Sequence, residues 1–240
     1  MKRYPLVSLL TPTCNRHPFI SQYLRNLRRQ DYPGRMEILI ADDGDEPVGD
    51  LVSADPRVRY LRLSGRRPLG EKRNLLASAA RGEVLVHMDD DDYYPPERVT
   101  HAVSRLEASD RLIAGSSQMY IYDTVADEVT VSGPFGENHG TAATLAYRRE
   151  YFAVHRFDDR ACAQEEPTFT ENFTAPMVQL DPRSTILVIR HQANTWDKRR
   201  TTARPSDLKL KDFVRDMEDR RFYRHRLARV LAAGTSASAG

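Results

Sequence analysis

The chain has 240 residues, of which 40% are hydrophobic and 29% are charged, and its formal net charge is +2. These values are ordinary for a globular protein with a sizeable core and exclude an intrinsically disordered chain. The nearly balanced charge gives no reason to expect nucleic acid as a partner.

The expected cellular setting follows from the cysteines and the apolar runs. Cys14 and Cys162 are the two cysteines and have no metal-type spacing, so we expect no disulfide framework and a reducing, cytoplasmic location. The first residues lack the long apolar run of a signal peptide. Since no stretch approaches the roughly 20 apolar residues that span a bilayer, the sequence predicts no transmembrane segment and leaves peripheral membrane contact open.

Strand and helix patterns alternate through the first half of the chain. Apolar runs predict strands over residues 6–10, 36–41, 58–63 and 84–88, with a loop over 11–17 after the first strand. Apolar residues at helical spacing predict helices over 19–27, 75–80 and 99–106. This alternation predicts an α/β fold with a mostly parallel central sheet flanked by helices.

The second half has a different pattern and predicts a smaller mixed part. Residues 118–122 and 128–132 predict a hairpin, and 141–147 and 185–189 predict further strands. A charged helical pattern over 207–232 predicts a C-terminal helix. We expect a single domain over residues 1–233 and a disordered tail over 234–240.

Three polar clusters follow predicted strands of the first half. They cover residues 13–16, 42–45 and 89–92. Because ligands of open α/β sheets bind outside the carboxyl ends of the strands, we expect the three clusters to meet at one edge of the sheet.

Four consecutive aspartates, Asp89 to Asp92, form the third cluster. Like charges this close repel and raise one another's pKa, and a divalent cation relieves that cost. Carboxylate oxygens suit Mg²⁺ or Mn²⁺, which take their remaining ligands from phosphate and water. The alternatives are a solvated acidic loop or a cap at the start of a helix.

Four segments together resemble one protein family. Residues 84–92, VLVHMDDDD, resemble the Asp-x-Asp region of inverting, GT-A-fold family 2 glycosyltransferases. The other three resemble the family's opening strand and loop, its Asp-Asp-Gly-Ser turn and its Gly-x-x-x-Ala-Arg-Asn helix: residues 7–16, 37–45 and 70–75. The resemblance covers the first 100 residues, and its order along the chain is that of the family. Cys14 departs from the pattern, because the family commonly has an aromatic residue there to pack on the base.

The resemblance implies a role for each matching residue of the donor site. Pro12, Thr13, Cys14 and Arg16 would line the donor pocket, and Asp43 would accept a hydrogen bond from the base. Arg73 would lie near the base or the diphosphate, with a salt bridge on the helix surface as the alternative. The aspartates divide into a ribose contact at Asp89, a donor-side or structural residue at Asp90, a metal ligand at Asp91 and a loop residue at Asp92.

The resemblance also implies a catalytic base in the second half. Glu166 matches the family's base position, with Glu165 as the second choice. The alternative is that both glutamates begin a helix and favour its dipole. His191 would touch the metal or the diphosphate, or would be structural.

A basic stretch near residue 198 has two interpretations. Lys198, Arg199 and Arg200 would neutralise phosphate from a mobile loop or form a solvated basic run. Trp196 would be an acceptor platform or would pack in the interior.

The implied activity is transfer of a sugar to an acceptor hydroxyl with inversion, by metal-assisted single displacement. A UDP-sugar is the favoured donor and a dTDP-sugar is possible; the acceptor, a saccharide, natural product or lipid-linked molecule, is not identified. Donor binding would occupy residues 1–100, acceptor binding and catalysis 101–206, and the C-terminal helix 207–233.

Two other functions stay open at this stage. A nucleotidyltransferase also pairs an α/β sheet with metal-binding aspartates, but residues 11–16 lack the glycines of its phosphate loop. A catalytically silent module that binds nucleotide sugars is the second alternative.

Overall fold

A computed structural model of the protein describes residues 3–194, 202–229 and 231. Two β-sheets and short helices make up this part of the chain. The strands are β1 (Val7–Thr13), β2 (Met36–Asp42), β3 (Val58–Arg62), β4 (Val84–His87), β5 (Ile113–Gly115), β6 (Met119–Asp123), β7 (Glu128–Ser132), β8 (Ala146–Arg148), β9 (Met177–Gln179), β10 (Leu187–Arg190) and β11 (Ala203–Pro205). The helices are α1 (His17–Arg28), α2 (Gly49–Val52), α3 (Leu69–Ala79), α4 (Arg98–Glu107), α5 (Arg149–Val154), α6 (Glu166–Phe169), α7 (Leu210–Phe213) and α8 (Met217–Arg221).

The first sheet has seven strands in the order β3-β2-β1-β4-β8-β5-β9. β8 runs antiparallel to both of its neighbours, and the other pairings are parallel. The predicted α/β fold with a mostly parallel sheet is therefore confirmed. Alternate residues of each strand face opposite sides, so Leu9 packs with helices α1 and α4 while Leu10 packs with α3.

β1 is longer than the sequence predicts. The loop expected from Thr11 begins only after Thr13, because β1 pairs with β2 from Val7 opposite Met36 to Thr13 opposite Asp42. All seven residues of the strand are buried. The extension matters for function, since it carries Thr13 to the same edge of the sheet as the end of β2.

The second sheet has four strands in the order β10-β6-β7-β11. The predicted hairpin is β6 and β7, which are antiparallel. The strand predicted over 141–147 is wrong in its first part: a 3₁₀ turn, Ala142–Thr144, precedes β8. The turn forms because both the backbone N–H and the hydroxyl of Thr144 donate to the carbonyl of Thr141, at 2.8 and 2.7 Å.

The C-terminal helix predicted over 207–233 is divided in the structure. Helix α7 ends before Val214, whose backbone is extended, and α8 starts at Met217. Asp216 precedes α8 as its N-cap, because its carboxylate accepts the backbone N–H of Asp219 at 3.0 Å. A π-helical turn, Phe222–Arg226, continues from α8. Apolar residues of these separate segments pack onto the second sheet. They include Leu210, Phe213, Val214, Tyr223 and Leu227.

The predicted tail, residues 234–240, lies outside the described residues. Within the ranges that the structure covers, none of the helices has the length and apolar character that a membrane crossing requires.

Candidate active site

The carboxyl ends of β1, β2 and β4 open onto one cavity of about 1050 Å³. The predicted meeting of the three polar clusters is therefore confirmed. Among the residues that the structure describes, the predicted donor, metal and base residues other than His191 all line this cavity: Pro12, Thr13, Cys14, Arg16, Asp43, Arg73, Asp89, Asp90, Asp91, Glu165 and Glu166. Two residues from the far half of the chain, Glu165 and Glu166, thus share a space with donor-site candidates of the first half.

Asp43 is held as an acceptor at the end of β2. Its two carboxylate oxygens accept hydrogen bonds from the Lys72 ammonium and the Arg67 backbone N–H, each at 2.8 Å. Burial raises the pKa of Asp43, but these donors outweigh burial and leave the pKa below its ordinary value. Asp43 is therefore an ionised group in a fixed orientation.

Lys72 is a site residue that the sequence analysis missed. The side chain is buried, and it donates to the carbonyl of Thr13 at 3.2 Å as well as to Asp43. Lys72 thereby ties the end of β1 to the end of β2. Its position beside Arg73, where the family pattern has alanine, was the available signal.

Cys14 lines the cavity but is a poor nucleophile. Burial and the nearby Asp43 carboxylate raise the pKa of the thiol to about 11. Its sulfur contacts the guanidinium of Arg66, which also pairs with Asp45 at 3.0 Å. Arg66 is a second cavity residue that the sequence analysis did not select, because the Arg66–Arg67 pair lies in a loop outside the motifs that resemble the family.

Arg73 joins the aspartate run to the glutamates. Its guanidinium makes two parallel hydrogen bonds to Asp89, at 3.1 and 3.2 Å, and its Nε donates to Glu165 at 2.6 Å. Although burial lowers the pKa of Arg73, the two carboxylates raise it further, so the side chain stays cationic. The ion pair is buried and links two loops, in contrast to the surface salt bridge considered from the sequence.

Helix α3 places Arg73 by docking onto residues 157–161. A Cβ at Gly70 would lie 2.0 Å from the carbonyl oxygen of Asp158, so the close approach requires glycine. Asn74 donates to the Phe157 carbonyl at 2.8 Å and accepts the Phe157 N–H at 3.0 Å. These contacts fix the chain that leads to Glu165 and Glu166.

Asp90 is buried at the wall of the cavity. Its carboxylate accepts a hydrogen bond from the Thr13 hydroxyl and lies 3.8 Å from Nε of Arg16. Burial, followed by the charge of Asp91, raises the pKa of Asp90 to about 8. The contacts of Asp90 favour the structural role over direct donor contact.

Asp91 is partly buried and lines the cavity among polar side chains. Its Oδ2 is 3.3 Å from Nε2 of His191, 3.3 Å from the Asn194 amide and 3.4 Å from the Arg16 guanidinium. The His191 ring packs on Phe19, with the ring centroids 4.7 Å apart, behind the cavity wall. The structure thus brings together Asp91 and His191, the two residues predicted to hold a metal.

This donor set fits Mg²⁺ or Mn²⁺ if phosphate and water complete the coordination. Within residues 3–194, 202–229 and 231, no group of three or more His, Cys, Asp or Glu side chains forms a complete metal site. One or two carboxylates from the protein, with phosphate and water as the other ligands, are a normal contribution for Mg²⁺ on a nucleotide diphosphate. An imidazole is a less typical ligand for these ions, so Asp91 fits the ion better than His191 does.

Asp92 supports the loop. Its carboxylate is buried and accepts the backbone N–H of Ile189 in β10 at 2.8 Å. This contact connects the aspartate run to the second sheet and agrees with the expectation that Asp92 shapes the loop.

Glu165 and Glu166 have different surroundings. Glu165 is buried against Arg73, whereas Glu166 begins helix α6 and accepts the Ala142 backbone N–H at 2.9 Å. Burial and the neighbouring Glu165 charge raise the pKa of Glu166. The helix-start alternative is thus correct as local structure for Glu166, and it is compatible with a chemical role because the residue also lines the cavity.

The basic stretch of the sequence analysis lies outside the described residues. This applies to Trp196, Lys198, Arg199 and Arg200, so their two interpretations stay predictions.

Comparison with known proteins places the chain in a family. Residues 8–163, more than half of the sequence, match the model of glycosyl transferase family 2. The chain belongs to this family. The match spans the three strand-end loops and stops just before Glu165 and Glu166.

Curated relatives are similar over less than half of the chain. A putative colanic acid biosynthesis glycosyl transferase, WcaA of Escherichia coli, is 33% identical over 42% of this chain and 37% of its own length. An N-acetylglucosaminyltransferase of Neorhizobium galegae is 32% identical over 44% of this chain and 26% of its own length. The matched part therefore spans about a quarter to two fifths of these two relatives.

Solved structures share the fold. TarS of S. aureus in complex with UDP-GlcNAc superposes with a TM-score of 0.63 and 18% identity, covering 78% of this chain and 59% of that one. The mannosyltransferase PcManGT of Pyrobaculum calidifontis, solved with GDP-Man and Mn²⁺, superposes with a TM-score of 0.60 and 18% identity. This match covers 78% of this chain and 57% of that one. The fold is therefore that of GT-A glycosyltransferases.

Proposed function

We propose that this protein transfers a sugar from a nucleoside-diphosphate sugar, with a UDP-sugar favoured, to an acceptor hydroxyl with inversion. One observation carries the proposal: three strand-end loops of the first sheet and the Glu165–Glu166 loop converge on a single cavity. Nucleotide-sugar sites in open α/β sheets occupy this edge. The TarS structure, which was solved with UDP-GlcNAc, supports a UDP-linked donor, whereas PcManGT was solved with GDP-Man, so the choice of base is left to the titration below.

The donor pocket divides between base, ribose and diphosphate. Asp43, ionised and fixed by Lys72, would accept the N–H of a uracil-like base. Asp89, held by Arg73, would face the ribose. Arg16 lies 3.4 Å from Asp91 and would place a positive charge beside the diphosphate.

A divalent ion would complete this site. Asp91 and His191 are the residues that would hold Mn²⁺ or Mg²⁺. When bound, the ion would supply positive charge that neutralises the leaving diphosphate.

Glu166 would be the general base. It would take the proton of the acceptor hydroxyl as the hydroxyl oxygen bonds to the anomeric carbon and the nucleoside diphosphate leaves. The raised pKa of Glu166 supports this assignment, because it favours proton uptake at a buried carboxylate. Glu165 would act as a positioning residue, since one of its oxygens accepts from Arg73 at 2.6 Å.

Calorimetric titration tests the donor proposal. We expect UDP to bind more tightly than GDP and to bind better with Mn²⁺ than with EDTA. Asp91→Asn should weaken UDP binding in Mn²⁺ roughly tenfold or more while leaving binding in EDTA unchanged, because it removes one charged ligand. Asp50→Asn, on an exposed aspartate of α2, is the matched control. Equal UDP affinity in Mn²⁺ and EDTA would contradict the metal proposal.

A turnover assay separates an enzyme from a silent module. We expect wild type to release UDP slowly from a UDP-sugar that it binds, through transfer to water. Tight UDP binding with no release from a panel of UDP-sugars would favour the silent nucleotide-sugar-binding module instead.

A further inference from the structure

Three neighbouring aromatic rings line part of the cavity. The ring centroids of Phe135 and His139 are 4.8 Å apart with the rings tilted by 44°, and those of His139 and Phe173 are 4.4 Å apart with an interplanar angle of 18°. All three residues line the same cavity as Glu166. We call Phe135, His139 and Phe173 the aromatic platform.

The platform presents a large apolar surface to the cavity. Phe135 is 50% exposed, which is unusual for a phenylalanine. Burial lowers the pKa of His139, so its ring is neutral at neutral pH and behaves as part of the aromatic platform. The neighbouring cavity wall is also apolar, with Met119, Ile121, Ala143 and Val188.

The loop that carries Phe135 and His139 is firmly held. Gln179 donates to the carbonyls of Glu137 and His139, at 2.7 and 3.0 Å. Phe135 donates its backbone N–H to Ser117 at 3.2 Å. Because the backbone that carries these two rings is held before any ligand arrives, less conformational entropy is lost when a ligand stacks on them than on a mobile loop.

The turn that carries Phe173 is strained. Three successive residues have positive φ angles, a left-handed conformation that residues other than glycine rarely adopt in succession. They are Glu171 at +53°, Asn172 at +56° and Phe173 at +62°. The turn is closed by a 2.6 Å hydrogen bond from the Asn172 N–H to the Pro167 carbonyl. It directly follows helix α6, which starts at Glu166, so the strain holds a phenyl ring a short way along the chain from the proposed base.

We propose that the aromatic platform is the acceptor subsite and that it takes a flat, largely apolar face with a hydroxyl at its rim, such as the C–H face of a pyranose. The weakly positive C–H groups of such a face suit the negative face of an aromatic ring. A molecule stacked there would present its hydroxyl toward Glu166 from inside the shared cavity. The inference rests on the proposed function, because it assigns the acceptor side of that reaction.

Glycoside titrations followed by saturation-transfer NMR test the platform. The probes are methyl β-D-glucopyranoside, which offers only the sugar face, and phenyl β-D-glucopyranoside, which adds an aryl ring. In Phe135→Leu and Phe173→Leu we expect the glycoside Kd to rise about 3- to 10-fold, from the loss of one aromatic contact. UDP affinity and thermal unfolding should be unchanged. Tyr4→Leu, which removes an exposed aromatic ring outside the cavity, is the matched control and should match wild type.

The outcomes decide between the ligand sources and between the two proposals. A weaker Kd for both probes assigns the pyranose face, and a weaker Kd for the phenyl glycoside alone assigns an aryl face to the same platform. No binding of either glycoside to wild type, with or without UDP, overturns the inference, as does an unchanged Kd in the folded Phe135→Leu variant. Failure of UDP itself to bind overturns the donor proposal. The glycoside titrations would still show by themselves whether the platform binds a sugar.

Discussion

Glu165 and Glu166 are identical side chains that the fold makes chemically different. Arg73 engages Glu165 at 2.6 Å, while Glu166 accepts a backbone N–H from the turn that starts at Ala142. Burial and the charge of Glu165 then raise the pKa of Glu166 above its ordinary 4.5. The pair therefore combines a carboxylate in a buried ion pair with one whose pKa is raised.

Removing the base should abolish transfer without disturbing donor binding. We expect Glu166→Gln to lower kcat by roughly 10²- to 10⁴-fold, the usual contribution of a general base, with UDP affinity unchanged. The glutamine keeps an acceptor oxygen for Ala142, so the loop should stay in place. Product formation and calorimetry measure the two quantities. A kcat within a few-fold of wild type would refute the assignment.

The same assignment fixes the sign of the pH dependence. A base acts when ionised, so kcat/KM should fall as the pH drops through the raised pKa of Glu166, above 4.5. Glu165→Gln removes a negative neighbour and should move this acidic limb to lower pH. If Glu165 were the base, the acidic limb would vanish in that variant instead.

The aspartate run shows the same principle over four residues. Asp89 pairs with Arg73, Asp90 is buried against Thr13, Asp91 faces His191, and Asp92 holds the β10 backbone. The resemblance predicted that the four would differ. The partners that make them differ come from distant parts of the chain, so composition could not reveal them.

At the scale of elements, ion pairs fasten the C-terminal segment to helix α1. Asp219 in α8 is fully buried, and its Oδ1 accepts from Nε of Arg25 at 3.0 Å. Arg29 contacts the other oxygen and also pairs with Asp216, the cap of α8, at 2.9 Å. A helix of five residues has little stability by itself, so these contacts and apolar packing hold it.

Loss of this anchor should destabilise the protein. We expect Asp219→Ala to lower the free energy of unfolding by about 2 kcal/mol, less than for a fully buried pair because Arg25 and Arg29 are partly exposed. Limited proteolysis should also cut the C-terminal segment faster. Glu218→Ala, on the more exposed face of the same helix, is the control and should stay within about 0.5 kcal/mol of wild type. If the urea midpoint of Asp219→Ala equals that of wild type, the ion pairs of Asp219 do not contribute to stability.

At the scale of the whole molecule, the aspartate run is the junction of the two sheets. Asp92 accepts from Ile189 of β10 at 2.8 Å, and Tyr93 exchanges backbone hydrogen bonds with Leu187 at 3.1 and 2.9 Å. The carbonyl of Asp92 also accepts from Asn26 in α1 at 3.2 Å. His191 follows β10 directly, so this junction sets where the proposed metal ligands meet.

Breaking the junction should affect stability and donor binding together. In Asp92→Ala the buried N–H of Ile189 loses its acceptor, which we expect to cost about 1 to 3 kcal/mol of unfolding free energy. Because β10 positions His191, UDP affinity in Mn²⁺ should fall as well. Asp92→Asn keeps an acceptor oxygen and should recover most of both losses. If Asp92→Ala binds UDP in Mn²⁺ as tightly as wild type does, the junction does not control the position of the proposed metal ligands.

Short elements and the C-terminal region were the least predictable parts of the fold. The strands β5, β9 and β11 have three residues each, too few to show a period of two. The π-helical turn and the break at Val214 depend on the Asp216 cap and on packing against the second sheet. Local pattern predicted one helix because its apolar spacing is helical on both sides of the break.

By itself, the sequence determined the parallel sheet, the family and the residues gathered at the strand ends. These follow from hydrophobic periodicity and from motifs whose spacing is local, and the carboxyl ends of parallel strands must share an edge. Only the tertiary structure decided that Arg73 joins Asp89 to Glu165, that Lys72 holds Asp43, and that an aromatic platform lines the same cavity as Glu166. These contacts join residues far apart in the chain, and burial makes them strong. A local stretch of sequence shows neither which distant residues will be in contact nor how deeply they will be buried.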